Sequence, residues 1–209
     1  MSENSPIYTI KLFLLGNSTV GKTSLVYKYI KNEFRNHYLS TIGFENTFKD
    51  IVLDNGERVK INFHDTAGQE KYRSLAFNSI KSASGVILMY DITNKDSFKS
   101  IPQWISSIRQ HKGEDFPIVL IGNKCDLKEE REIKTEEGND LANKYGFLFF
   151  ETSSKEGINI KESILELVLK IVDQKNQAGK NEEKKEGGKQ KNFKLEKDKN
   201  LKKNDNCIC

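Results

Sequence analysis

One octapeptide constrains this chain more than any other feature. Gly16-Asn17-Ser18-Thr19-Val20-Gly21-Lys22-Thr23 matches G-x-x-x-x-G-K-[ST] in full, directly after the apolar run Tyr8 to Leu15. With glycine at about 7% of residues, chance yields such a match in roughly one chain in a hundred of this length. The preceding run reads as a strand buried on both faces of a parallel sheet, and a helix is predicted from Lys22. That context separates the motif from an ordinary glycine turn. Gly16 and Gly21 allow the backbone to wrap tightly, so that successive N–H groups aim at phosphate oxygens where the helix N-terminus adds partial positive charge. Lys22 supplies a full charge to β and γ phosphates, and the Thr23 hydroxyl suits Mg²⁺. The motif predicts a nucleoside triphosphate site without naming the base.

The rest of the body alternates strand-like and helix-like stretches. Ile51 to Leu53 and Val59 to Phe63 flank Asp54-Asn55-Gly56, and Asn-Gly is a strong hairpin signal, so these two strands are predicted antiparallel. Further apolar runs follow at Gly85 to Tyr90, Pro117 to Ile121 and Phe147 to Phe150. Phe98, Ile101, Ile105 and Ile108 are spaced as one face of a helix, and Ile160, Ile164, Leu167, Val168 and Ile171 as another. This order predicts an α/β P-loop NTPase fold: a mostly parallel six-stranded sheet with one antiparallel strand and helices on both faces.

Three later motifs address the base. Asp65-Thr66-Ala67-Gly68-Gln69-Glu70, Asn123-Lys124-Cys125-Asp126 and Glu151-Thr152-Ser153-Ser154-Lys155 each follow a predicted strand, at the carboxyl edge where open α/β sheets bind ligands. A carboxylate such as Asp126 accepts from the N1–H and exocyclic amine of guanine, whereas adenine offers no such donor pair on that edge. Each motif alone could be a polar turn or a helix cap. In this order, after the phosphate loop, they favour GTP over ATP.

With these motifs in place, the chain resembles a small GTPase of the Ras superfamily, most closely the Rab branch, over about residues 7 to 173 and the last three. The resemblance implies that Ser18, Thr19, Val20, Gly21, Lys22, Thr23 and Ser24 line the phosphate site, and that Thr23, Thr41 and Asp65 serve Mg²⁺. Thr41 would also sense the γ-phosphate, as would the Gly68 N–H. Phe34 and Tyr38 border the nucleotide, while Asn123, Lys124 and Asp126 read guanine together with Ser153, Ser154 and Lys155. Gln69 would orient the attacking water. The implied partners are an exchange factor, a GTPase-activating protein, a GDP dissociation inhibitor, prenylation machinery and effectors, acting on a monomer that regulates vesicle traffic. His37, His64 and His111 stand in no catalytic pattern, Cys125 reads as structural and Trp104 as ordinary helix packing. A rival reading from another class is a nucleotide-loaded, membrane-recruited binding module with little or no GTPase activity.

Composition assigns the remainder. No stretch approaches the ~18 apolar residues of a membrane span, the N-terminus lacks the pattern of a secretion signal, and three cysteines without paired CxxC motifs support neither a disulfide scaffold nor a zinc module. These features predict a protein of the cytosol. The formal charge of +4 is unevenly placed: residues 174–209 hold 11 Lys and 6 acids, while the first 173 residues hold 23 basic and 24 acidic ones. Lacking apolar periodicity, 174–206 is expected to be a disordered Lys-rich tail following a GTP-binding domain at 1–173. Its lysines are interrupted by acids and lack aromatic platforms, which disfavours nucleic acid. The end, Cys207-Ile208-Cys209, fails the C-a-a-X pattern because residue 206 is Asn. It resembles instead the Rab signal for geranylgeranylation of both cysteines. Two lipid chains hold a protein stably on a membrane where one does not, placing the protein on the cytoplasmic face of an intracellular membrane with a cytosolic pool.

Five positions depart from the usual Rab pattern. Thr19 replaces a small residue of the phosphate loop, His64 a tryptophan, Asn46 a phenylalanine, and Ser79-Ile80 a pair of tyrosines. Aromatic groups typically anchor interfaces, so an effector choice unlike that of a common Rab is expected.

Overall fold

The computed structural model describes residues 7–34, 44–66 and 80–177. Tyr38, Thr41, Gly68, Gln69, Ser79, Cys207 and Cys209 lie outside the described residues. The chain divides into two compact units, Met1–Ile171 and Val172–Cys209. In the second, residues 172–177 are described and are helical.

The first unit is built on one six-stranded sheet with the order β2-β3-β1-β4-β5-β6. Its strands are β1 (Ile7–Leu15), β2 (Phe44–Val52), β3 (Arg58–Thr66), β4 (Gly85–Asp91), β5 (Ile118–Asn123) and β6 (Leu148–Thr152). Only the β2–β3 pair is antiparallel, as the Asn-Gly turn predicts. That turn closes with Gly56 N–H donating to Leu53 O at 2.9 Å and Glu57 N–H to Asn55 Oδ1 at 3.0 Å.

Both hairpin strands run further than their apolar cores suggest. β2 is an edge strand whose residues 46, 48, 50 and 52 are exposed while 47, 49 and 51 are partly covered. Such a strand alternates rather than forming an apolar block, so its polar half carries no apolar run to mark it. The central strands β4 and β5 are buried at every position, in keeping with their continuous apolar runs.

The helices are α1 (Lys22–Lys31), α2 (Lys95–Lys99), α3 (Ile101–Lys112), α4 (Thr135–Tyr145) and α5 (160–171). The single helical face expected through Phe98 and Ile108 is thus split at Ser100. Pro102 lies in the first turn of α3, where its missing N–H costs nothing but would break a helix running through from Lys95. One apolar cluster includes Phe13, Leu15, Leu88 and Tyr90 of the sheet and Ile80 ahead of β4, with Trp104, Ile105 and Ile108 of α3. The α5 residues Ile160, Ile164, Leu167, Val168 and Ile171 are all buried, as their spacing predicts.

Register then delivers the chemistry. Leu14 of β1 lies beside Asp65 of β3, Asp91 of β4 beside Asn123 of β5, and Asn123 beside Thr152 of β6. The three motif-bearing strands therefore end side by side with β1 and β4 at one edge of the sheet.

Candidate functional site

The phosphate loop leaves β1 through Gly16, which has φ 136° and passes so close to β4 that an added Cβ would lie 2.2 Å from Met89 O. Gly21 has φ 98°, and a Cβ there would lie 2.2 Å from Asn123 Nδ2. At both glycines of the motif a side chain is excluded by strand or loop neighbours as well as by backbone conformation. Thr19 is the exception. It is exposed and adopts φ 65°, a left-handed conformation costing a β-branched residue roughly 1–2 kcal/mol. Its hydroxyl turns back to donate to Ser18 O at 2.7 Å. The departure noted in the sequence thus falls where the loop favours glycine.

Lys22 opens α1 and folds back under the loop. Its ammonium donates to Gly16 O at 3.0 Å and Asn17 O at 2.7 Å. Burial pulls its pKa down to about 8, against the opposing charge of Asp65. A cation held at such cost of desolvation is one that a polyphosphate would relieve. Thr23 Oγ1 donates to Asp65 Oδ2 at 2.6 Å, bringing two hard oxygen donors together beside the loop. Ser24 follows, half-buried, on the first turn of α1, and Phe34 stands exposed beyond its end.

Asn123 ties the phosphate loop to the loops proposed to read the base. Its Nδ2 donates to Val20 O at 2.8 Å. Its Oδ1 accepts from Thr152 Oγ1 at 3.0 Å, Ser154 Oγ at 3.1 Å and Ser154 N–H at 3.2 Å. Asn123, Thr152, Ser153 and Ser154 are all buried, so this hub is shielded from competing water. Lys124 sits at φ 69°, and its ammonium pairs with Asp91 Oδ2 at 2.6 Å. Asp126 is half-buried in the turn that follows, its carbonyl accepting from Lys128 N–H at 3.0 Å. Lys155 is exposed, 3.9 Å from the Glu156 carboxylate. The described candidates therefore gather along one edge, with Phe34 on the segment leading away from α1.

Further contributors were absent from the motif reading. Asp91, nine-tenths buried, holds Lys124 with one oxygen and accepts from Thr93 N–H and Oγ1 with the other. Its signal was available: a carboxylate ending a wholly buried strand. Arg131 makes a bidentate pair with Glu151 at 2.6 and 2.9 Å and also donates to Ile133 O at 3.0 Å. Glu151 in turn holds the guanidinium firmly charged, and the pair fastens the segment after Asp126 to β6. Trp104 does more than pack, because its indole N–H donates to Asn17 Oδ1 at 3.1 Å. Cys125 is half-buried, and burial with the nearby Glu151 and Asp126 charges pushes its thiol pKa up. That is the setting of an inert cysteine.

On β3, His64 stacks flat on Phe13, with ring centroids 4.3 Å apart and planes 4° from parallel. Burial and the Lys11 charge lower its pKa, favouring the neutral imidazole. An aromatic ring is thus retained where the family pattern has tryptophan. Across the hairpin its register partner Asn46 is exposed, and Ile80 is fully buried.

Comparison with known proteins agrees with this geometry. The Ras family model matches residues 11–173. The chain is 42% identical over 172 residues to Ras-related protein Rab-3C of Bos taurus, covering 82% of this chain and 75% of that protein. It is 43% identical over 166 residues to Ras-related protein Rab-3 of Caenorhabditis elegans, covering 79% and 75% of the two chains. With Ras-related protein Rab-3B of Homo sapiens the identity is 41% over 172 residues, or 82% and 78%. None of these relatives favours the rival reading as a module without GTPase activity. Kinship of this extent implies regulators and effectors of the small-GTPase kind and a task associated with vesicle membranes. The chain belongs to the Ras family and is a Rab-like small GTPase of vesicle traffic, an enzyme that binds guanine nucleotides and hydrolyses GTP.

Proposed function

We propose that residues 1–173 are a switch domain whose GTP and GDP forms are distinguished by Thr41 and the Gly68 to Arg73 region, and that residues 174–206 tether it to a membrane through lipids on Cys207 and Cys209. The observation that carries the nucleotide assignment is the Asn123 hub, which joins the loop around Lys22 to the Thr152–Ser154 segment by bonds of 2.8 to 3.2 Å. A nucleotide lying along this edge would have its phosphates at Gly16–Thr23 and its base between Lys124, Asp126 and Ser153–Lys155.

Phosphoryl transfer asks for positioning and charge stabilisation rather than covalent help. Lys22 places positive charge at the β and γ phosphates, and the loop N–H groups orient them. Gln69 positions the attacking water. Thr23 and Asp65 fit Mg²⁺ in donor chemistry, with Thr41 the further candidate; when bound, the ion would neutralise charge on the β and γ phosphates. Hydrolysis withdraws the γ-phosphate contacts of Thr41 and the Gly68 N–H, and both segments are released.

Unassisted turnover in GTPases of this kind is slow, on the order of 10⁻⁴ to 10⁻³ per second, so a GTPase-activating protein and an exchange factor complete the cycle. Gln69→Leu is expected to keep nucleotide affinity while cutting single-turnover hydrolysis at least about tenfold, and more with an activating protein present. A turnover time course equal to wild type would refute the role of Gln69.

Prenylation machinery and a GDP dissociation inhibitor would manage the lipidated end, leaving a cytosolic pool beside the protein on the cytoplasmic face of its membrane. The domain acts as a monomer, without nucleic acid, through effectors that read the GTP form. Cys207→Ser with Cys209→Ser is expected to move the protein from the membrane pellet to the soluble fraction of fractionated cells. Continued sedimentation with membranes would remove the anchor from this account.

A further inference from the structure

We infer that Trp104 is a positioning residue for the phosphate loop, acting through the Asn17 side chain to set the acceptors beneath Lys22. This rests on the reading of Gly16–Thr23 as the phosphate site. Asn17 is the first residue of that loop with a side chain, and α3 holds it from across the chain. Trp104 Nε1–H donates to Asn17 Oδ1 at 3.1 Å over 87 positions of sequence, and Asn17 Nδ2 donates to Ser100 Oγ at 3.0 Å over 83. Ser100 is the junction of α2 and α3 and is itself fixed, its hydroxyl donating to Asp96 O at 2.8 Å. Both ends of the Asn17 amide are thereby occupied by one element, which selects a single rotamer and flip state for it.

The indole brings rigidity that a surface partner could not. Trp104 is 4% exposed and lies in the apolar cluster with Phe13, Ile80 and Ile108. Its ring has little freedom to follow a wandering loop, and its N–H, if left without an acceptor at this depth, would forfeit its solvation without return. The loop must therefore come to the ring. The same residue's backbone then matters for charge, because Asn17 O accepts from Lys22 Nζ at 2.7 Å, the shorter of the two bonds the ammonium makes to the loop. Side chain to α3 and carbonyl to Lys22 belong to one residue, so moving the first displaces the second. Nucleotide that draws Lys22 toward its phosphates would be felt at the indole, and loss of the indole donor would be felt by the nucleotide.

The test uses the full chain purified with GDP bound. Trp104→Phe keeps an apolar ring and removes the donor; it is expected to speed GDP release about 3- to 10-fold, the effect of losing one part-buried hydrogen bond. Asn17→Ala is expected to do the same, and the double variant to release GDP no faster than Asn17→Ala alone. Trp104 is the sole tryptophan of the chain, which gives a second readout that ordinary packing would not move. In the otherwise native protein, stripping GDP should shift its fluorescence emission, and Asn17→Ala should abolish that shift. This arm stands even where Trp104→Phe fails to fold. Release from Trp104→Phe within twofold of wild type, single effects that multiply in the double variant, or an emission shift undiminished by Asn17→Ala would each overturn the inference with the phosphate site left intact. A wild-type chain that retains no GDP would instead remove the loop assignment on which it rests.

Discussion

Lys22→Ala is expected to lower GDP and GTP affinity on the order of 100- to 1000-fold while leaving the nucleotide-free domain folded. The magnitude follows from one cation facing multiply charged phosphates: a charge pair near 4 Å is worth about 4 kcal/mol at an effective dielectric of 20, and about 1.4 kcal/mol corresponds to a factor of ten. Folding is spared because burial disfavours the ammonium where it sits, drawing its pKa down to about 8. Removing it frees the Gly16 and Asn17 carbonyls but also ends that desolvation cost, so the melting temperature without nucleotide should move by only a few degrees. Equilibrium titration with GDP and a thermal melt of the stripped protein measure the two effects separately. Binding within tenfold of wild type would show that the loop does not use Lys22 for phosphate.

The second large effect concerns the base. Asp126→Asn exchanges a group that only accepts for one that accepts at one atom and donates at the other. Guanine presents N1–H and an exocyclic amine to this position, so one of its two donors would meet a donor. Xanthine carries a carbonyl in place of that amine and would suit the amide instead. Guanine nucleotide affinity is expected to fall by about 2–4 kcal/mol, since a site built to pair polar groups penalises a mismatched one heavily, and xanthosine diphosphate should become the better ligand. Competition between the two diphosphates reads the exchange directly. An unaltered preference for GDP would place the base elsewhere. The support around Asp126, Lys124 paired with Asp91 and Arg131 with Glu151, is untouched by the substitution, so the change should report specificity rather than collapse of the loop.

These two proposed positions stand out in the chain because the chemistry assigned to them demands residue types at short spacing. A backbone that wraps a phosphate needs Gly16 and Gly21 together, and the Asn123-Lys124-Cys125-Asp126 turn carries its proposed reading groups within one loop. The buried strands announced themselves for a related reason: β4 and β5 are covered on both faces, so every position selects for apolar character. What the chain does not display locally works across distance. Asp91, Arg131 and Trp104 each belong to an ordinary strand end, turn or helix; the meaning of the first two arises only when the sheet brings β4, β5 and β6 into register, and that of Trp104 only when α3 meets the loop after β1. The full length of β2 was hidden by its place at the edge, where alternate residues meet water. The break between α2 and α3 was masked because apolar spacing continues through Ser100, although Pro102 marked it. His64, read as a loss of aromatic character, retains a stacked ring through Phe13, a substitution of polarity more than of shape.

The two bonds from Lys22 to the Gly16 and Asn17 carbonyls also bear on the thermodynamics of loading. The ammonium meets the nucleotide with two of its three N–H donors already engaged, so binding finds one further donor there and otherwise trades neutral acceptors for charged ones. The net gain there is chiefly Coulombic, and a Coulombic gain is weakened by dissolved ions wherever the site opens to solvent. Loading should accordingly grow weaker as ionic strength rises, with Lys22 accounting for part of the slope and its alanine variant showing a shallower one.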